Sequence, residues 1–502
     1  NYGKFFNGHL RLESIEELAP EGQKNNRIAE FFYNEQSITL EDARDHFDYM
    51  GYYNGSRSGQ EYGIKHSQGT WDVVSYVLSS REPDLDYAKA FSLRKIVYPF
   101  GGYKEFEYEL NSARVVNNRD AFLSSGLRIK KVTECAYHNA EPAVTNYQYG
   151  CREIDGYLDG TGTRTNNIPM YLTSISRTAD KRFYYAVSNK CLTTLADLDG
   201  TIVQYPIVWE ILPDGSKNEY KYTSHADYPD LPAQKRDATD NTDSWKNVSQ
   251  GPVTQTSRHY ARGLLTGKSS YDKDGDLVYS EEHVYRLGKI NRRREVIVPC
   301  RELVEGNSID PNNIPYEQYV FCKYEWLSQP VLKLGAYVNA TKYCPASDTE
   351  YTYDSTFNQP VRIVKTDAAG NVFETCIKYA FDYSVSGNQT DPVLKALASM
   401  RQGRLWKPIE VVTFRNGIAV EGKVFVYKDS GFTLYEVKYL PQTGVSKDDY
   451  VFSSVSSAGF SCDARYKTDI CCYEYDENNR PIAFRKRDGT VNSIVYDHAG
   501  NM

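Results

Sequence analysis

The sequence predicts an all-β chain of stacked β-hairpins with a few short covering helices, and three observations predict it. Tyrosine (43) outnumbers phenylalanine (20) and tryptophan (5) together, and tyrosine suits a pleated, half-wet surface where its ring packs and its hydroxyl reaches water. Apolar and polar residues alternate with period two over many short stretches. Glycine (34) and proline (20) punctuate those stretches throughout the 502 residues.

Taken in order, the first element is a short helix. Thr39 can cap it with Asp42 at the third helical position, Leu40, Ala43, Phe47 and Met50 form an apolar face, and Gly51 ends it. In 104–110, Phe106, Tyr108 and Leu110 lie on one face of a strand and Glu105, Glu107 and Glu109 on the other. Asp214-Gly215-Ser216 joins strand-like 207–211 to 219–222 as a hairpin. Asp391-Pro392 starts a second helix that carries Val393, Leu394, Leu397 and Met400 to about Gly403, with Asp as cap and Pro as first residue. Asn416-Gly417 between strand formers is a strong short hairpin signal. Both helices are expected to cover the sheet. The chain divides into 1–92, a mixed segment with a hairpin and short helix; 93–260, β-rich; 261–390, hairpin repeats; and 391–502, a helix followed by hairpins. Asn1 opens without the basic start and apolar stretch of a signal peptide, and 496–502 read like the opening of another unit. An internal part of a longer protein is therefore expected.

A strand–turn–strand–turn unit recurs. It is marked by Tyr271, Asp272 and Gly275, by Tyr353, Asp354 and Gly370, by Tyr475, Asp476 and Gly489, and by Tyr496, Asp497 and Gly500. The tyrosine packs on the sheet and the aspartate can accept from its own turn's amides, while stacked neighbours bury what one hairpin cannot. The stretch from Tyr475 to Asn501, with Asp488-Gly489-Thr490 as its second turn, resembles the tyrosine-aspartate (YD) repeat of the RHS family. Upstream, 93–103 and the following Phe106-Glu107-Tyr108-Glu109 resemble a block of large RHS-like exported proteins of Gram-negative anaerobes. That block usually reads YPTGGYTxFEYE, and Phe100 stands here in place of its threonine. Gly126 to Val132 and Asn54-Gly55 fit the same layout. The resemblance implies an RHS-like twisted sheet or spiral shell; alternation alone equally permits a propeller or several sandwiches.

Motifs that would carry chemistry fall short. Thr266-Gly267-Lys268-Ser269 lacks the earlier glycine of a phosphate loop, since position 262 is Arg, and no helix follows it. Asp272, Asp274 and Asp276 alternate like the first half of a calcium loop, but its twelfth position is His283 rather than glutamate. A plain turn is expected there, with no metal and no cofactor. The eight histidines form no HExxH, and neither a Gly-x-Ser-x-Gly nor a catalytic-cysteine signature occurs. The ten cysteines show no Cys-x-x-Cys; buried free thiols are expected, with one or two disulfides open in an exported protein. Cys471 and Cys472 read as strand neighbours facing opposite ways. Arg286, Lys289, Arg292, Arg293 and Arg294 form the basic cluster, expected as a solvated hairpin surface rather than a seat for a phosphate-bearing partner such as lipopolysaccharide.

A net charge of −7 argues against a general nucleic-acid binder, and no apolar run approaches the roughly 18 residues of a membrane span. The expectation is a non-enzymatic, exported, cell-surface or outer-membrane-associated scaffold. It would bind other surface or outer-membrane proteins, or glycan, through a tyrosine-rich sheet. The alternative the resemblance implies is an RHS-type shell that encloses and delivers a C-terminal toxin domain lying outside this fragment. A carbohydrate-active enzyme lacks any motif here.

Overall fold

Local turn chemistry sets the hairpins. Asn416 and Gly417 both take positive φ, 49° and 79°, as a two-residue type I′ turn requires, so the strand before them folds straight back on the strand after them. Asp214 works differently: its side chain accepts from the Ser216 amide at 3.0 Å while Gly215 takes φ 87°. The molecule is seen in a computed structural model that describes residues 1–5, 10–17, 26–35, 46–48, 50–55, 65–67, 70–72, 82–115, 122–154, 156–164, 172–177, 183–187, 200–237, 244–248, 255–304, 316–385, 390–429, 433–441, 444–478 and 480–496. It is overwhelmingly antiparallel β, as the alternation predicts.

The chain forms two units. Unit 1 holds Asn1–Ser280 and Ile290–Pro330. Its main sheet runs through β1 (Ser14–Glu17), β2 (Asn26–Tyr33), β3 (Leu93–Val97), β4 (Tyr103–Val115), β5 (Phe122–Cys135), β6 (Ala143–Gly150), β7 (Ile207–Ile211) and β8 (Lys217–Tyr222), each antiparallel to the next. Strands β9 (Ala233–Asp237) and β10 (Lys246–Val248) leave that sheet, and β11 (Leu265–Tyr271) returns to pair with β8. After β12 (Leu277–Leu287), β13 (Arg292–Val304) and β14 (Tyr316–Ser328) form a long ribbon that joins β9 and β10 in a four-stranded sheet. Side chains of β7, β8 and β11 are half-buried on both faces almost throughout, and among them only Trp209 is buried.

Unit 2 holds Glu281–Lys289 and Val331–Met502. Here residues 281–287 of β12 pair with β15 (Val331–Val338), followed in sheet order by β16 (Ser347–Tyr353), β17 (Pro360–Thr366) and β18 (Val372–Tyr379). Helix α1 (Pro392–Gly403) then crosses over. Asp391 caps it by accepting from the Val393 and Leu394 amides, and Pro392 stands at its start, as the sequence predicts. The sheet continues through β19 (Pro408–Arg415), β20 (Ile418–Lys428), β21 (Thr433–Tyr439), β22 (Lys467–Tyr475) and β23 (Pro481–Lys486). Leu394, Leu397 and Met400 are buried against Ile409 and Tyr427, each worth about 1.5–3 kcal/mol of transfer free energy. Val412, Phe414, Val424 and Leu440 anchor a second core of this unit.

The helix expected over 39–51 requires correction. Thr39, Leu40, Asp42 and Ala43 lie outside the described residues, but Phe47 pairs as an antiparallel bridge with Tyr53. Asp48 accepts from the Met50 and Tyr52 amides, both at 2.9 Å. Its short side chain offers the backbone a turn in place of a helical ladder. A one-turn helix at Leu85–Ala88, capped by Asp84, escaped the sequence reading.

The Tyr-Asp units share one device. Asp272 accepts from the amides of Asp274 and Asp276 (3.0 and 2.9 Å), Asp354 from Thr356 and Phe357 (2.9 and 2.7 Å), and Asp476 from Asn478 and Arg480 (2.9 and 2.8 Å). Gly275, Gly370 and Gly489 supply positive φ in these and the following turns. The tyrosines lock the sheet by donating to a main-chain carbonyl on the strand alongside. Tyr353 reaches Lys333 at 2.9 Å, Tyr379 reaches Pro360 at 3.0 Å, Tyr475 reaches Leu434 at 3.0 Å and Tyr496 reaches Pro481 at 3.0 Å. Tyr108 and Tyr149 in unit 1 do the same to Leu93 and Ile129, both at 2.6 Å. Asp497 and Gly500 lie outside the described residues.

Candidate functional site

Register alone assembles a chemically loaded face in unit 1. Tyr147 on β6 lies opposite Glu210 on β7, Glu210 opposite Asn218 on β8, and Asn218 opposite Ser270 on β11. Directly paired residues share a face, so a phenol, a carboxyl group, a carboxamide and a hydroxyl form one row across four strands. A second row on that face runs Tyr149, Val208, Tyr220 and Lys268. Tyr222 follows, its ring stacked beside Tyr220 at 6.5 Å.

Glu210 sits at the centre. It accepts from the Tyr147 hydroxyl at 3.0 Å, the Asn218 amide nitrogen at 3.0 Å and the Tyr220 hydroxyl at 3.1 Å. Asn218 in turn accepts from Ser270 at 2.7 Å. Burial, then the bond to Glu210, pushes the Tyr147 phenol up to about 12; burial and the charge of Glu210 push Tyr220 up to about 12. Both therefore remain donors across the physiological range. Beside the second row, the Arg128 guanidinium lies 4.8 and 4.9 Å from the ring centres of Tyr149 and Tyr205. It also donates to Glu109 at 2.6 Å and to the Gly160 carbonyl at 2.8 Å. These bonds hold the side chains in fixed orientations, which lowers the entropy lost when a partner binds.

The opposite face of the same strands is braced. Lys217 lies 3.7 Å from the Trp209 ring centre and 4.8 Å from that of Tyr271, and the Trp209 indole donates to Glu219 at 2.8 Å. The carboxyl group of the tyrosine-lined rows is Glu210, engaged by three donors. Their phenol rings, carboxamide and hydroxyls suit recognition of hydroxyl-rich or peptide surfaces.

The residues singled out by sequence are scattered. Thr266 to Ser269 lie within β11, a strand and not a phosphate loop. Asp272 engages its carboxyl group with its own turn, and among the described residues no three His, Cys, Asp or Glu side chains gather to hold a metal. Cys471 and Cys472 are successive residues of β22 with free thiols. Cys135, Cys322 and Cys472 are buried, and the eight cysteines whose side chains are described are in the thiol form. Arg286 and Lys289 fall in unit 2, Arg292, Arg293 and Arg294 at the start of β13, and all five are exposed. What sequence reading missed is Glu210 as a hub. The alternation in 207–211 marks its face, but Tyr147, 63 residues away, gives no local sign of being its partner.

No protein-family model and no curated protein matches the sequence. Among solved structures the chain is similar to a TcdB2–TccC3–Cdc42 crystal structure, with 9% identity over 82% of this chain and 22% of that one and a TM-score of 0.39. It is also similar to a Photorhabdus luminescens Tc holotoxin pore, with 10% identity over 97% of this chain and 24% of that one and a TM-score of 0.17. The chain thus spans about a quarter or less of the length of either. Both scores are too low to bear on function.

Proposed function

We propose that this chain is a non-enzymatic scaffold, exported and exposed at the cell surface, that binds other surface or outer-membrane proteins, or glycan, through the tyrosine-lined face of β6, β7, β8 and β11. The observation that carries the reading is the row Tyr147–Glu210–Asn218–Ser270, fixed by hydrogen bonds and flanked by Tyr220 and Tyr222. Preorganised aromatic and hydrogen-bonding groups suit association, because little order remains to be lost when a partner binds. A second reading, the wall of a toxin-enclosing shell, is favoured by the half burial of β7, β8 and β11 on both faces.

The test is gentle affinity purification of the native protein from membranes, with stoichiometry by mass spectrometry, beside the Tyr220→Ala/Tyr222→Ala variant. The scaffold reading expects a stoichiometric surface protein or glycan that the variant loses by about tenfold or more, as removal of aromatic anchors does. A partner-free chain holding a cleaved C-terminal fragment would replace that reading with the shell.

A further inference from the structure

Arg292, Arg293 and Arg294 open β13 in succession, and strand period sends the middle one to the face opposite its neighbours. Arg293 is engaged there: it forms an ion pair with Glu325 of β14, which raises its guanidinium pKa. The other carboxylate of this stretch, Glu295, pairs with Glu325 in register and so shares that face. The outer arginines meet different company. Arg292 lies opposite Ser328, Arg294 opposite Trp326, and the next pair inward on their face is Val296 with Tyr324. That face presents no carboxylate across these three pairs, and among the described residues neither Arg292 nor Arg294 forms an ion pair. Trp326 is 53% exposed, and both arginines are exposed.

We infer that this end of the β13–β14 ribbon binds an anionic sugar, one bearing phosphate, sulfate or carboxylate, with Arg292 and Arg294 on the anion and Trp326 on the ring. Alternate residues of a strand stand about 7 Å apart, so the two guanidinium groups flank one anionic group and offer paired N–H donors that fit its oxygens. The directly opposed indole, about 5 Å from Arg294 at the Cβ atoms, gives a flat apolar surface against the sugar's C–H face. Across these three pairs Arg292 and Arg294 are the two cations, on a chain of net charge −7, which matches one charged sugar and opposes a polyanion tracked along its backbone. The ribbon belongs to a different sheet from the tyrosine-lined face, and the inference stands whether or not that face binds a partner.

The full chain should be titrated by biolayer interferometry against heparin, polygalacturonate, a phosphomannan, uncharged dextran and single-stranded DNA at several salt concentrations. The expected result is binding to at least one anionic polysaccharide, with the preferred arm naming the anion, and none to dextran. Arg292→Ala/Arg294→Ala should weaken binding about tenfold or more and flatten its salt dependence. Trp326→Ala should weaken it comparably with the salt slope kept, and Arg293→Ala should leave it unchanged. Equal binding of dextran, indifference to Trp326→Ala, DNA binding as tight as the glycan's, or no binding at all would each overturn the inference.

Discussion

Glu410→Ala removes an acceptor at the centre of the unit 2 core. The side chain is fully buried. It accepts from the Tyr450 hydroxyl, from the Ser453 amide at 2.8 Å and from the Ser453 hydroxyl. Tyr450 also meets Tyr466 at 2.7 Å, Tyr383 meets the Ser453 hydroxyl at 2.7 Å, and Lys378 donates to the Ser453 carbonyl at 2.6 Å. Burial pushes the phenols of Tyr383, Tyr450 and Tyr466 upward, so they remain donors. Alanine strands the Ser453 amide, at about 1–3 kcal/mol for an orphaned buried donor, and leaves a cavity worth about 2 kcal/mol. A total of about 3–5 kcal/mol corresponds to roughly 100- to 4000-fold. Glu410→Gln keeps the shape and one acceptor, so about 1–2 kcal/mol is expected. Hydrogen exchange on peptides covering 408–428 reads opening of unit 2 directly. An increase below tenfold for alanine, or equal effects of alanine and glutamine, would refute the network as a source of stability.

Three further outcomes follow from the same physics. Tyr379→Phe deletes the 3.0 Å bond to the Pro360 carbonyl beneath a side chain only 4% exposed; about 1 kcal/mol, or a melting temperature lower by about 2–4 °C, is expected, and an unchanged value would remove the tyrosine brace from the list of stabilising devices. The Arg465 guanidinium, helped by the amides of Arg465 and Val451, holds the Asp463 carboxyl well below the usual carboxylate range. A lowered folded-state pKa stabilises above the unfolded value of about 3.9 and is lost as pH falls through the lower one, so Asp463→Asn should melt below the parent at pH 7 and approach it near pH 2, whereas a constant gap would contradict the linkage. Because Asp272 is engaged by its own turn, EDTA should leave the melting temperature unchanged; a fall of several degrees reversed by calcium would show a metal site.

Legibility followed sequence distance. Asn416-Gly417 and Asp391-Pro392 were readable because each fixes its own backbone within a few residues. The 39–51 reading went wrong at its far end because Asp48 turns the chain through its own side chain, a local competitor that helical periodicity does not reveal. The tyrosine-lined row stayed hidden because it depends on the register of β6 against β7, strands separated by more than fifty residues. Trp326 opposite Arg294 was hidden for the same reason. Alternation states which residues share a face within one strand, while the partner strand supplies the rest of the site.

The Tyr353–Asp354 and Tyr475–Asp476 units are self-contained fasteners: the aspartate closes its own turn and the tyrosine ties to the strand alongside. A gene segment encoding one such hairpin can therefore be copied or lost while the remaining hairpins keep their fastenings, which gives the sheet a natural route to changes in length. Glu410 sets the opposite rule. Its bonds to Tyr450 and Ser453 span 40 and 43 residues, so a break in duplication placed between them would carry off the donors and leave a buried acceptor behind. Residues 410–453 must be inherited together.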